Sequence, residues 1–363
     1  MRPPLWHPPV ELSDAEASIV KRIKRAKLFT FLRLNRSFIF NDEFQEELAT
    51  IFKDSTVGQS PVPPAQIALA IILQAYLGIS DDEVIEEMLM DRRWQLVLDC
   101  LNCENPPFSK PTLIRFRNRL IKKELDQRLI DRTVEIAKQK GGFGSSQLKA
   151  ALDSSPLWGA GKVEDTYNLL GHDERKAVSV IAAGQGREPA EIAELAGAPI
   201  LNSSSLKTAL DLNWDDPEER QNALLIILNS LCSVEEWMQS QSNCDEFEVA
   251  KETLDVARLI ESQNVTFDSQ GVPSLSKGVA KDRRISIEDP DMRHGRKSKS
   301  KKIDGYKRHI LKDLESGVVC AVALTRANTA EATATFDLER DLKFQNIHLA
   351  ELHIDRAYLG LAE

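Results

Sequence analysis

Two short apolar segments each end in an aspartate: Leu148-Lys-Ala-Ala-Leu-Asp153 and Ile347-His-Leu-Ala-Glu-Leu-His-Ile-Asp355. Each reads as a strand closed by a carboxylate; the first lies between a Gly/Ser stretch and Pro156. A rigid strand end fixes an acid while the following loop leaves it open. The two carboxylates converge if the strands are neighbours in one sheet. The long stretch between them must then leave that sheet and return to it.

The intervening pattern says how. Residues 1–145 read as helical. Ser13 and Glu16 form a capping box, Pro63-Pro64 opens a helix from Ala65 to Leu77 ended by Gly78, and Ser80 caps Asp81 to Met90. Ser109 and Pro111 start another helix to about Lys123, with Leu113, Phe116 and Leu120 on one face and Arg115, Arg119 and Lys122 on another. Gly and Ser at 141–146 mark a boundary. After a first core strand within 146–158, residues 159–268 form a helical insertion. Its clearest helix starts at Asp216-Pro217, with Glu219 in capping-box position, and runs to Met238. Residues 269–302 read as a basic exposed loop. Residues 303–363 supply strands over Tyr306–Lys312 and Val318–Leu324, a helix over Ala330–Leu342 and the last strand. The expected fold class is α+β: an N-terminal all-α domain, then an α/β core interrupted by a helical insertion.

Composition narrows the function. The 363 residues include five cysteines, an odd number that argues against a secreted disulfide framework. Cys100 and Cys103 have CxxC spacing, but no second ligand pair follows, so they read as buried thiols on a helix. The N-terminus has no signal-peptide core, and the longest apolar run, Ile67 to Leu73, is too short to span a bilayer. A cytoplasmic location without membrane contact is expected. The net charge of −9 alone argues against a nucleic-acid partner. Phosphate affinity follows local charge, however. Between Asp291 and Lys312 nine basic and two acidic residues leave a net +7. Lys297, Lys299, Lys301, Lys302, Lys307 and Arg308 are the phosphate-contact candidates there. Arg115 and Arg119 form a second candidate face, either against DNA in a helix-turn-helix manner or paired with the acidic helix at Asp81 to Glu87.

Paired carboxylates are what Mg²⁺ takes, as a hard ion with oxygen ligands that keeps waters for substrate phosphates; two such ions activate a nucleophile and stabilise a leaving oxygen. The bland alternative is that Asp153 and Asp355 only cap turns. Gly159-Ala-Gly-Lys162 lacks the residues of a phosphate loop, with Pro156 and Val163 in the wrong places. His348 and His353 fall on opposite strand faces and read as flanking residues. Trp158 has the chemistry to stack on an unpaired base, but a packed core or turn tryptophan is the default expectation.

Several stretches together resemble the DDE-type insertion-sequence transposases. Leu148-Lys-Ala-Ala-Leu-Asp153 with Val163-Glu-Asp-Thr-Tyr-Asn-Leu-Leu170 looks like that family's first catalytic block. Asp289-Pro-Asp-Met-Arg293 and Gly305-Tyr-Lys-Arg-His309 are similar to the stretch before its second core strand. Ala327-Asn328 resembles the turn after the third, and Asp355-Arg-Ala-Tyr358 the second catalytic Asp with its tyrosine. Ile79-Ser-Asp-Asp-Glu-Val84 and Ser109-Lys-Pro-Thr-Leu-Ile-Arg-Phe-Arg117 resemble its N-terminal helical domain. Each motif alone is weak; their order is specific. The resemblance implies an RNase H-like core, Asp153 and Asp355 as catalytic metal ligands, Mg²⁺ or Mn²⁺ as cofactor, and double-stranded DNA at element ends and target as partner. Self-association is also expected. The family's third catalytic residue is a Glu on a later helix, and this chain stops at Glu363, so it is expected to lack that acid. A non-catalytic DNA-binding remnant and an RNase H-like nuclease are the alternatives.

Overall fold

The computed structural model describes residues 2–53, 60–140, 148–203, 205–241, 245–278, 280–297 and 301–359. The Gly/Ser boundary at 141–146 and Lys299 lie outside the described residues. The chain divides into two compact units: Met1–Ser155 with Arg308–Thr325 and Ala330–Glu363, and Pro156–Lys307 with Arg326–Thr329. The class is α+β, as the alternation of sequence patterns predicts.

The first unit opens with helices α1 (Asp14–Arg22), α2 (Lys27–Ile39), α3 (Asp42–Ala49), α4 (Pro64–Leu77), α5 (Asp81–Met90), α6 (Arg92–Leu98), α7 (Lys110–Lys122) and α8 (Asp126–Gln139). The predicted capping box at Ser13/Glu16 is present, and Ser80 forms a second one with Glu83. α4 is apolar almost all round and is buried accordingly, with Ile67, Leu69 and Leu73 in the core. Leu113, Phe116 and Leu120 are the buried face of α7. Cys100 and Cys103 sit in the turn after α6 and not on a helix. Burial pushes the Cys100 thiol up to about 12, with Cys103 adding to the shift.

The sheet strands are β1 (Leu148–Trp158), β5 (Lys302–Asp313), β6 (Val319–Arg326) and β7 (Leu349–Ile354). β1 lies between β5 and β7, and β6 pairs with β5. β1 and β7 run parallel, in a register that pairs Ala150 with Leu352 and Leu152 with Ile354. Parallel pairing needs a long crossover, which the intervening chain supplies. α14 (Ala334–Phe344) makes the last return, after a 3-10 turn over Glu331–Thr333. Alternate residues of β5 are buried, among them Ile303, His309, Leu311 and Asp313.

The second unit holds α9 (Thr166–Gln185), α10 (Pro189–Leu195), α11 (Leu206–Leu210), α12 (Pro217–Ser240) and α13 (Asp245–Asn264), then an antiparallel hairpin of β2 (Val265–Phe267) and β3 (Pro273–Leu275). α9 approaches α11 so closely that a Cβ on Gly171 would lie 1.8 Å from Leu206 Cδ1. β4 (Arg293–Arg296) pairs antiparallel with the start of β5.

Three local features differ from the sequence expectation. β1 continues past Asp153 and through Pro156 to Trp158, so Asp153 lies within the strand and does not close it; a proline without an N–H is tolerated where no ladder donor is needed. The stretch 269–302 contains β3 and β4, whose polar residues give no apolar alternation to read. At α12 it is Asp216 that caps the Glu218 N–H, while Glu219 accepts from the Asn213 N–H, so no capping box forms. Among the described residues no helix is long and apolar enough to cross a membrane.

α9 also buries two adjacent acids, Asp173 and Glu174, at 1% and 0% exposure. Glu174 accepts a hydrogen bond from the Ser230 hydroxyl. One oxygen of each carboxyl has no hydrogen-bond partner. Burial pushes Asp173 up to about 7 and Glu174 to about 8. Both values lie above the ordinary carboxylate range, so the unfolded chain ionises first as pH rises and binds fewer protons than the folded one. Stability is therefore fully present below about pH 4 and is lost as pH rises through about 8. Glu174→Gln should flatten that loss, so that its melting temperature falls less than the parent's between pH 5 and 9, read by circular dichroism across buffers of about those values. Parallel pH profiles would rule out the buried acid as the cause.

Candidate active site

The parallel pairing of β1 with β7 decides where the two aspartates meet. The last paired positions are Leu152 and Ile354, and Asp153 and Asp355 are the next residue on each strand. Neighbouring strands lie about 4.8 Å apart, so the two backbones emerge side by side. Lys149 and Glu351, paired in the same register, form an ion pair at 3.0 Å across the strands. Both aspartates are exposed. The Ser154 N–H donates to Asp153 Oδ1 at 2.8 Å, which orients that carboxylate.

Beneath them lies Tyr358, 5% exposed. Its hydroxyl hydrogen-bonds His309 Nδ1 at 2.7 Å, and His309 Nε2 reaches Thr325 Oγ1 at 2.9 Å. His309 is fully buried, so each ring nitrogen faces a hydroxyl within the core. Burial raises the Tyr358 phenol well above its ordinary value, and the negative charges of Glu331, Asp153 and Asp355 raise it further. Both aspartates therefore act on one hydroxyl. Sequence reading missed His309 and Glu331 as members of this cluster. The Asp355-to-Tyr358 spacing was the one signal for the tyrosine.

The basic candidates separate by what they touch. Within the first unit the Arg308 guanidinium donates to Ser155 Oγ at 3.0 Å and to the Ala75 carbonyl at 2.8 Å, and burial lowers its pKa. A Cβ on Gly78 would collide with that guanidinium, so the glycine ending α4 also makes room for it. On α7 the choice left open by the sequence is made by other residues. Arg117 pairs with Asp81 at 2.5 Å and Lys110 with Asp82 at 2.7 Å. Arg115 and Arg119 stay exposed, Arg119 stacking over the Phe52 ring. The two arginines line a cavity of about 440 Å³.

Within the second unit Lys307 donates to the Thr329 carbonyl at 2.9 Å. Lys297, Lys301 and Lys302 are exposed on the turn and strand beside β4. Arg293 is instead buried and bound to Asp282 at 2.8 Å. Asp282 also receives Arg326 and Asn328, and the three donors hold its carboxyl below the usual range, Asn328 most. Trp158, expected to pack, is 63% exposed.

Both carboxylates offer hard oxygen donors suited to a divalent cation. Among the described residues no group of three or more His, Cys, Asp or Glu side chains is placed to hold a metal. Tyr358→Phe should remove the buried hydrogen bond to His309 Nδ1, at a cost of about 1 kcal/mol or more. A thermal melt should show a midpoint several degrees lower; an unchanged midpoint would mean the hydroxyl contributes nothing to the core.

The family comparisons agree with this organisation. A profile describing a transposase domain (DUF772) matches residues 19–119, which include Arg115 and Arg119. A profile describing a transposase DDE domain matches residues 253–362, which include the basic stretch and Asp355. Asp153 lies between the two matches. No curated protein and no solved structure matches the chain. With a helical transposase domain ahead of a DDE domain, in the order the motifs predict, the chain belongs to the DDE-type insertion-sequence transposases, enzymes that cut and join DNA.

Proposed function

We propose that this transposase uses Asp153 and Asp355 as metal-binding catalytic carboxylates for phosphodiester cleavage and strand transfer at element ends. The observation that carries this reading is the β1–β7 register, whose last pair is Leu152 and Ile354, so that Asp153 within β1 and Asp355 just past β7 follow on adjacent backbones. The family uses divalent metal ions. Mg²⁺, or Mn²⁺ in its place, would be held by the two carboxylates and would supply activation of a water or 3′-hydroxyl and charge stabilisation on the leaving oxygen. The buried Tyr358–His309 pair lies close enough for both acids to act on the phenol. Two carboxylates alone would bind the metal weakly.

The sheet is assigned to an RNase H-like core, supported by a central β1 with the β5–β6 pair on one side and parallel β7 on the other. Residues 1–145 serve as the DNA-binding helical domain through Arg115 and Arg119, and the basic residues from Lys297 to Lys307 hold phosphates. The reading includes action in the cytoplasm on nucleoid DNA. It also includes self-association, supported by β7, which among the described residues pairs only with β1 and exposes Leu349 and Leu352.

Asp153→Asn and Asp355→Asn should each abolish metal-dependent nicking of element-end DNA while leaving duplex affinity within about twofold, since neither acid neutralises a phosphate. Nicking retained by either variant would remove that acid from the mechanism. Replacing Lys297, Lys299, Lys301 and Lys302 by alanine should flatten the salt dependence of duplex binding by about 0.9 log units per lost phosphate contact. An unchanged slope would make the segment a solvated surface only.

A further inference from the structure

Of the five tryptophans, four have partners. Trp94 is fully buried, Trp6 lies under Arg36, Trp214 meets Tyr167, and Trp237 meets Phe247. Trp158 is 63% exposed and, among the described residues, stacks with no ring and no cation. Beside it Leu157 is 42% exposed. Large apolar surface left in water at a strand end has a cost that packing elsewhere does not recover.

The support under that indole is rigid. The Gly159 N–H donates to the Asp304 carbonyl at 3.0 Å, and the Ala160 N–H to Asp289 Oδ2 at 3.0 Å. Gly305, at φ +146°, lies so close that a Cβ there would be 2.4 Å from the Leu157 carbonyl oxygen. Backbone thus packs on backbone, and the ring is presented from a fixed base.

The ribbon alongside carries uncompensated charge. Arg296 of β4 sits directly across the ladder from Lys302 of β5. Like charges directly opposite destabilise a strand pair. Among the described residues neither Arg296 nor Lys302 makes an ion pair. The nearby acids are engaged elsewhere: Asp304 with His294, Asp289 with Tyr306 and the Ala160 N–H, Asp291 with Arg326. Lys302 is two residues, about 7 Å of strand, from Asp304, whose carbonyl holds the Gly159 N–H next to Trp158.

We propose that Trp158 is a stacking platform for an unpaired base of DNA, with the Arg296/Lys302 ribbon holding the adjoining phosphates. Aromatic faces accept any base, and cations beside them track the backbone. The proposal rests on the DNA reading of the ribbon and adds to it a preference for single-stranded over paired DNA at this position.

The test uses the full chain, a blunt duplex, and the same duplex carrying a short thymidine tail, with binding read by fluorescence anisotropy. Trp158→Ala should weaken binding to the tailed DNA about tenfold and leave the blunt duplex within about twofold; Trp158→Phe should keep most of the tail affinity. Arg296→Ala with Lys302→Ala should weaken both DNAs and lower the salt slope. Tail affinity unchanged in Trp158→Ala, or both DNAs weakened alike, overturns the stacking role while the ribbon's role stands. A parent chain that binds neither DNA overturns both readings.

Discussion

The in-register parallel pairing of β1 with β7 is the contact on which the rest depends. Leu148, Ala150 and Leu152 are buried along β1, and this alternation fixes which face of the strand is turned inward. A slip of one residue would turn those side chains to the other face and part Asp153 from Asp355. The Lys149–Glu351 pair, exposed and individually weak, favours the same register. Every other core element is a way of bringing the chain back parallel to β1.

Much of this was legible because the signals were local. Serine caps, the glycine stop at Gly78 and the apolar stripe of α7 each depend on a few neighbouring residues. Asp355 just past β7 was legible for the same reason, whereas Asp153 lies inside a strand that runs on to Trp158. The β4–β5 ribbon was not legible, since charged residues give no hydrophobic period, and Arg293 enters the core by bonding Asp282 and the Pro290 and Met292 carbonyls. His309 was hidden in a similar way. It occupies an inward position of β5, and the distant Tyr358 and Thr325 help make that position tolerable for a polar ring. Trp158 shows the converse: an apolar side chain left 63% exposed.

The basic residues show why net charge predicts so little. The chain is acidic overall. Yet Arg117 and Lys110 are bound to the acids of α5, Arg308 and Lys307 are tied to carbonyls, and Arg296 and Lys302 face each other without an acid partner among the described residues. A phosphate feels the last kind far more than the first. Function lies in which cations the fold leaves without counterions, and a count of lysines and arginines does not reveal that.

The helical insertion between β1 and the later strands has a consequence for timing. Its helices close on a local apolar core of their own, including Leu170, Ile181, Ile227 and Leu254. The β1–β7 contact instead joins segments about two hundred positions apart, and contacts of such long range are slow to form. During synthesis the insertion has its core complete while β1 still lacks its parallel neighbour. Asp153 therefore gains Asp355 as its neighbour across the ladder only once Ile354 has been made and docked.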